Sequence, residues 1–461
     1  MQISPESRQI TGKQSLIALL LFSIISGGAA AYLKSHGIFE ASWWYAIFVV
    51  APEVLLFGWY YRDSKVRSFI RPRWLNIAVV AAPFIAIPYY LVLSRAPTHR
   101  VKSLLVCVGY TVLCILATVA GAAITRYADK AYSVAAERNH ITRKLAFWQG
   151  ALTKPLPERI GPAPSELVEY LALDNFNYGY PNKPRAATLS AEFLSDVRNA
   201  FVEIPAPVRR LLTQKLAGIY FVEDLGGSGF TEQIHDTSKP VAGYIVLDAS
   251  VLQSRTANDW AAWKENSPFT ASPEFKLNAT IEEASQNNRK QAIQYILLHE
   301  LGHVLAIEAG INPNWNTDPK NINTTASYPF FNLSWLISKA DNRYLTVFDQ
   351  RFTQRKNVVY YFGAKLPAKE MIHSYEALEH TNFPTLYAAT NPHDDFAEAF
   401  VSYVHTVLMG KPFEITLSKG GKIEKVYKSC WAEERCAAKR KVLERFLNLK
   451  VIYSSVDSGI S

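Results

Sequence analysis

The chain has 461 residues, of which 49 are Lys or Arg and 40 are Asp or Glu, and its apolar content is 49%. This length allows two or three domains with buried cores, and the apolar content is too high for a disordered protein. Four cysteines in so long a chain exclude a disulfide-rich scaffold. The net charge of +9 raises nucleic acid or an anionic membrane as partners, so its distribution along the chain matters.

The positive charge is concentrated in the first quarter of the chain, which also holds the longest apolar runs. Residues 1–130 contain 13 Lys or Arg and 5 Asp or Glu, whereas the remainder is nearly balanced. Glu53 is the one charged residue inside these runs, and it is either a functional polar site or a buried carboxyl group. About 20 apolar residues in a helix span the hydrocarbon core of a bilayer. We therefore predict a membrane domain over residues 1–130, with four transmembrane helices at 15–33, 43–61, 74–93 and 103–124.

This distribution predicts a lipid bilayer as a partner and gives no support to nucleic acid. Basic residues crowd the loop 62–73 and flank the outer ends of the predicted spans. The positive-inside rule therefore predicts a multi-pass plasma (inner) membrane protein with both ends in the cytoplasm. Cys430 and Cys436 favour the alternative, because a lone cysteine pair suggests a disulfide in a periplasmic or other extracytoplasmic compartment.

The rest of the chain divides into a connector and a soluble domain. Residues 131–185 predict a juxtamembrane helix and a Pro-rich linker. Residues 186–461 have the pattern of an α+β domain, with strand-like segments at 218–223 and 242–248.

The segment 291–305 contains the sequence His-Glu-x-x-His within an apolar helical pattern. On a helix, His299 and His303 share one face, so both imidazoles can bind one Zn²⁺. Glu300 lies beside them, where it can accept a proton from a metal-activated water. The segment therefore predicts a site for one zinc ion per chain.

A catalytic zinc needs a third protein ligand, and the segment 387–403 offers candidates. Asn391 predicts the N-cap of a helix that starts at Pro392. On this helix Asp394 and Glu398 share a face. Asp395 points about 100° away from Asp394 and is expected to be solvated.

Together the two segments resemble the gluzincin class of zinc metallopeptidases, and 387–400 is especially similar to its lethal-factor-like branch. The resemblance implies a zincin-like fold, Asp394 as third metal ligand, Glu398 as the acid that orients a ligating histidine, and Tyr387 as the hydroxyl that stabilises an oxyanion. The family usually has Glu where this chain has Asp394, so Glu398 remains an alternative ligand. In zincin-like folds the strand at the edge of the sheet binds the substrate, and 242–248 is the candidate strand.

The fold expected from the sequence is thus an α-helical four-span transmembrane region followed by an α+β zincin-like metallopeptidase domain. The leading hypothesis for its function is a membrane-anchored zinc metalloendopeptidase that acts on peptide or protein substrates, with Glu300 as general base. The alternative is a non-catalytic membrane protein whose structural or vestigial zinc site serves a binding or sensing module.

Overall fold

The computed structural model describes residues 5–35, 42–324, 326–361 and 363–448. The chain divides into two compact units, Met1–Ala135 and Ala136–Ser461. The last residues of the predicted α+β domain, 449–461, lie outside the described residues.

The first unit is built of helices. They are α1 (Pro5–Ser35), α2 (Ser42–Val66), α3 (Arg73–Ala81), α4 (Pro83–Ser94) and α5 (Arg100–Arg138). Within the described ranges, two helical segments are long and apolar enough to cross a membrane: Lys13–Ser35 and Pro97–Arg138. The predicted region of four transmembrane spans is therefore wrong.

The third predicted span, 74–93, fails because the helix breaks within it. Ala82 leaves the helical conformation, with φ −147° and ψ 61°, immediately before Pro83. Proline disfavours the helical conformation of the residue before it and has no N–H to donate. The two resulting helices have 9 and 12 residues, and each is too short to cross a bilayer.

The second predicted span, 43–61, fails for a different reason. It lies within α2, a helix of 25 residues that contains Pro52 and Glu53 and ends in a charged turn. The helix is long enough to cross a membrane, but Glu53 and the charged last turn interrupt its apolar run, and it is not among the candidate segments.

The second unit is a mixed α+β domain, and it includes part of the predicted linker 131–185. Its helices are α6 (Leu145–Leu152), α7 (Ser165–Tyr178), α8 (Ala191–Val202), α9 (Ala206–Leu212), α10 (Ala249–Leu252), α11 (Ala257–Asn266), α12 (Arg289–Ala306), α13 (Met371–Glu379), α14 (Pro392–Tyr403) and α15 (Glu434–Phe446). Its strands are β1 (Ile160–Pro162), β2 (Arg185–Ala186), β3 (Leu216–Glu223), β4 (Gly229–Asp236), β5 (Lys239–Asp248), β6 (Phe275–Thr280), β7 (Trp335–Ser338), β8 (Arg343–Thr346), β9 (Glu414–Lys419) and β10 (Lys422–Lys428).

The largest sheet has the order β1-β3-β5-β4, and β2 pairs additionally with β3. The β3–β5 pair is parallel, whereas β4 and β5 form an antiparallel pair. A second sheet has the order β10-β9-β6, and β7 pairs with β8. The helix α12 is buried along almost its whole length and lies at the centre of the main hydrophobic core.

The edge of the large sheet differs from the sequence prediction. The predicted edge segment, 242–248, belongs to β5, which lies between β3 and β4. The strand at the end of the sheet is β4, which follows the Gly-rich turn 226–229. The sequence prediction was wrong because a strongly apolar strand such as β5 is usual in the interior of a sheet, where both faces are covered.

Candidate metal centre

The helix α12 carries the first two candidate ligands. Its N-cap is Asn288, whose side chain accepts a hydrogen bond from the backbone N–H of Gln291 (3.2 Å). One turn separates His299 from His303, and the two rings lie 5.0 Å apart between centroids. His299 and Glu300 are buried. The apolar residues around this motif anchor the helix, so the histidine face is fixed by core packing.

The helix α14 carries the candidate acids and begins as the sequence predicted. Asn391 is its N-cap and accepts hydrogen bonds from the backbone N–H groups of His393 and Asp394, both at 2.9 Å. Pro392 is the first helical residue. The side-chain amide of Asn391 also donates to the carboxylate of Asp394. One capping residue therefore starts the helix and orients a candidate ligand.

The two helices pack closely at a glycine within the His-Glu-x-x-His segment. A Cβ atom on Gly302 would lie 2.9 Å from the Cα atom of Ala397. Glycine at this position therefore allows α12 and α14 to approach more closely than any larger residue would. Ala397 lies between Asp394 and Glu398 in the sequence, so the close approach brings both acids to the histidines.

Three side-chain atoms converge at this crossing. The Nε2 atoms of His299 and His303 are 3.3 Å apart, and Asp394 Oδ1 lies 3.8 Å from the first and 3.5 Å from the second. Ligands at the usual zinc distances of about 2.0–2.1 Å in a tetrahedral site lie roughly 3.4 Å from one another. The three donors match this spacing, and this group could hold a metal ion.

Glu398 lies on the other side of the His299 ring. Its Oε1 atom is 2.9 Å from His299 Nδ1, a close but poorly aligned contact, whereas Nε2 of the same ring faces the donor group. The geometry thus favours Asp394 over Glu398 as third ligand and places Glu398 where it can orient the ring. A carboxylate beside the distal nitrogen of a ligating histidine is the usual arrangement around zinc.

Glu398 is held by two further groups that sequence reasoning missed. Lys264 Nζ donates to its Oε1 atom at 2.7 Å, and Thr385 Oγ1 donates to its Oε2 atom at 2.6 Å. Both partners are buried. The only sequence signal for Lys264 was a charged residue in the tryptophan-rich helix α11, which does not indicate its partner 134 residues away.

The pKa values of the acids reflect their partners. Burial alone would raise the pKa of Glu398, but Lys264 and His299 outweigh this effect and hold the pKa well below its usual range. Burial would likewise raise the pKa of Asp394, yet His303 and His299 lower it overall. Burial would lower the pKa of His303, while Asp394 and Glu300 raise it overall. The site therefore keeps both acids as carboxylates.

Glu300 is positioned by the edge strand. Thr231 Oγ1 on β4 donates to Glu300 Oε2 at 2.6 Å. Gly229 lies directly over this carboxylate, and a Cβ atom at that position would displace the Glu300 side chain. Neither contact could be inferred from the sequence, because the pattern of 229–236 did not indicate a strand.

Tyr387 lies against the first histidine. Its ring stacks on that of His299, with 5.5 Å between centroids and an interplanar angle of 21°. Lys264 Nζ lies 4.6 Å from the centroid of the Tyr387 ring. Burial, followed by the charge of Asp394, raises the pKa of Tyr387 well above its usual value, so the hydroxyl keeps its proton.

Asp395 is not solvated, and that expectation was wrong. Its carboxylate is fully buried and accepts hydrogen bonds from Lys439 Nζ (2.5 and 2.7 Å) and from Trp335 Nε1 (2.9 Å). The direction of the side chain on the helix was as expected, but α15 covers that face of α14. Burial raises the pKa of Asp395, and the Lys439 ammonium opposes this effect.

Two cavities adjoin the donor group. One of about 150 Å³ is lined by His299, Glu300, Tyr387 and the turn 226–229. The other, of about 290 Å³, is lined by His303 together with Gln233 and Trp315. Residues of β4 line both cavities, so the edge strand runs past the donor group from one cavity to the other.

Comparison of the chain with protein families, curated proteins and solved structures finds no match. Membership of the gluzincin class therefore stays a prediction from the two motifs, and the case for function rests on the geometry of the site.

Proposed function

We propose that this chain is a zinc-dependent peptidase attached to a membrane. One observation carries the proposal: two imidazole nitrogens and one carboxylate oxygen converge within 3.8 Å of one another beside a cavity that also exposes the carboxylate of Glu300. Two nitrogens and one oxygen form a typical donor set for catalytic zinc, with His299, His303 and Asp394 as the ligands.

The roles of the residues follow from their positions. When bound, zinc supplies a Lewis acid that lowers the pKa of a coordinated water and polarises a substrate carbonyl. Glu300, oriented by Thr231, accepts the proton of the attacking water and returns it to the leaving amine. The hydroxyl of Tyr387 is available to donate a hydrogen bond to the developing oxyanion. Glu398 fixes the orientation of the His299 ring.

A purely structural zinc site is less consistent with this geometry. Structural zinc sites are almost always closed by four protein ligands. In the part of the chain that the structure describes, the group has three members, His299, His303 and Asp394. The adjoining cavity also gives a substrate access to His299 and Glu300.

The test is the substitution Glu300→Gln in the full-length protein purified in detergent. We expect peptide hydrolysis to fall by about 10²–10⁴-fold, the usual contribution of a general base, while the zinc content is retained. Glu283→Gln, at an exposed acid before α12, is the matched control and should leave both quantities unchanged.

Zinc analysis of the His303→Ala variant completes the experiment, because that protein should lose the metal. Hydrolysis by Glu300→Gln at the wild-type rate would contradict the mechanism. A wild-type protein that contains zinc but cleaves no peptide would favour the non-catalytic binding or sensing module.

For the membrane attachment we propose that the segments Lys13–Ser35 and Pro97–Arg138 form the anchor. The disulfide between Cys430 and Cys436 supports placing the second unit in an extracytoplasmic, oxidising compartment. The basic loop 62–73 lies between these two segments, so the positive-inside rule places that loop in the cytoplasm and both ends of the chain outside it. A reporter fused to the carboxyl terminus, active only outside the cytoplasm, tests this orientation. We expect the reporter to be active. A fusion that is expressed but inactive would show that the domain lies in the cytoplasm.

A further inference from the structure

The cavity of about 150 Å³ beside His299 and Glu300 is lined by aromatic rings and an acidic side chain. The rings of Trp260, Tyr361 and Tyr387 line it, and Asp174 on α7 contributes a carboxylate. A cavity of this size has room for several waters and hence for one long side chain.

Asp174 has no hydrogen-bond or ion-pair partner among the described residues. Burial, followed by the charges of Glu137 and Glu232, raises the pKa of Asp174 to about 7, and Arg143 opposes them. Arg143 lies 3.5 Å from Glu232, so its charge is shared with that acid. The Asp174 carboxyl group therefore lacks a cationic partner of its own, and a cation in the cavity would favour its ionised form.

The lysine that lines the cavity, Lys264, does not compensate Asp174. The ammonium of Lys264 donates to Glu398 at 2.7 Å and also lies 3.7 Å from Glu265. Two buried acids thus occupy this lysine. A cation that enters the cavity can pair with Asp174, whose ionised form it stabilises, and can contact the aromatic faces. Both groups attract ammonium and guanidinium groups.

We propose that this cavity is a subsite for a cationic side chain, lysine or arginine, next to the scissile bond. The inference rests on the proposed peptidase function and adds a substrate class to it. The same cavity should disfavour acidic side chains, because Asp174 and Glu300 line it.

The first experiment compares the cleavage of peptide pairs by the full-length protein. Each pair is identical except for lysine or norleucine at one position flanking the expected cleavage site. We expect kcat/KM to be at least about tenfold higher for one lysine peptide, as for a hydrogen bond between charged groups. Asp174→Asn should reduce that ratio about tenfold. The matched control is Glu169→Gln, at an exposed acid on the same helix, which should leave the ratio unchanged.

The second experiment measures binding without catalysis. Butylammonium and the neutral butanol are titrated into the full-length protein, and binding is followed by calorimetry. We expect the cation to bind more tightly than the alcohol, and Asp174→Asn to weaken cation binding about tenfold while Glu169→Gln does not.

The two experiments separate the two claims. Selective cation binding without any peptide cleavage would support the subsite and contradict the peptidase. Cleavage without a preference for lysine, or cation binding that Asp174→Asn does not change, would overturn the subsite and leave the peptidase standing.

Discussion

Two acids on α14 each form an ion pair with a buried lysine, but the two ion pairs serve different purposes. On one side, Glu398 pairs with Lys264 at 2.7 Å, and on the other Asp395 pairs with Lys439 at 2.5 and 2.7 Å. All four side chains are buried. A buried ion pair that loses one partner leaves an uncompensated charge in the protein interior, so each pair holds its residues in place.

The difference lies in what each carboxylate contacts next. Glu398 lies 2.9 Å from His299 Nδ1, so its position determines how the opposite ring nitrogen is presented to the donor group. Asp395 contacts Trp335 and the core beneath α15. The metal-facing side should therefore control metal affinity, while the core-facing side should control the free energy of unfolding.

The largest expected effects come from neighbouring substitutions on the two sides. Asp394→Asn should weaken zinc binding by more than about 100-fold, because it removes a ligand charge rather than a supporting contact. Asp395→Asn should lower the free energy of unfolding by about 3–5 kcal/mol, since Lys439 would stay buried without its partner. Zinc competition with a chromogenic chelator and denaturant unfolding measure the two quantities. Equal losses of metal affinity in both variants would contradict the division of α14 into a metal-facing and a core-facing side.

Acid should weaken the fold through His405, which follows α14 and packs against the ring of Tyr295 on α12. Its Nε2 atom lies 2.7 Å from the carbonyl oxygen of Ile281, and burial lowers the pKa of His405 to about 4. Between the usual pKa of about 6.5 and that value, the unfolded chain binds a proton that the folded protein does not. Stability is therefore present above about pH 6.5 and lost as the pH falls to about 4, by roughly 3 kcal/mol.

Denaturant unfolding of the wild-type protein and of His405→Gln at several pH values checks this expectation. The variant should lose the part of the pH dependence that His405 contributes. An identical dependence in both proteins would show that His405 is protonated equally in the folded and unfolded states.

The smallest expected effect is on zinc affinity, when the lysine that holds Glu398 is replaced. Lys264→Met should weaken zinc binding by about 10–100-fold, the usual cost of losing a group that supports a ligand. Lys439→Met is the matched control, because it also removes a buried lysine from a carboxylate on α14. It should leave the zinc affinity of the folded protein unchanged.

A combined variant sharpens the comparison. If Lys264 acts on the metal through Glu398, Lys264→Met should add little to the loss already caused by Glu398→Gln. Additive losses would mean that Lys264 influences the site by another route, such as its contact with the Tyr387 ring.

Features that depend on near neighbours could be predicted from the sequence. The N-cap at Asn391 and the shared face of His299 and His303 require only local hydrogen bonds and helical geometry. The break at Pro83 was also readable in principle. The prediction of a continuous span over 74–93 missed this break, because it relied on apolar composition, and hydropathy does not report whether the backbone can continue a helix.

Features that depend on distant neighbours could not be predicted. The edge strand β4, the partner Lys264 and the burial of Asp395 each follow from packing between segments far apart in the chain. Helical geometry sets the direction in which Asp395 points, but it does not determine whether another helix covers that face.

The sequence by itself determined the two helices of the site and the residue types that they carry. Only the tertiary structure decided that Gly302 and Ala397 meet, and that Asp394 thereby joins His299 and His303 while Glu398 turns to the far side of the ring. The physical reason is that helical periodicity is set within a few residues, whereas the approach of two helices depends on side-chain volume at a single crossing point.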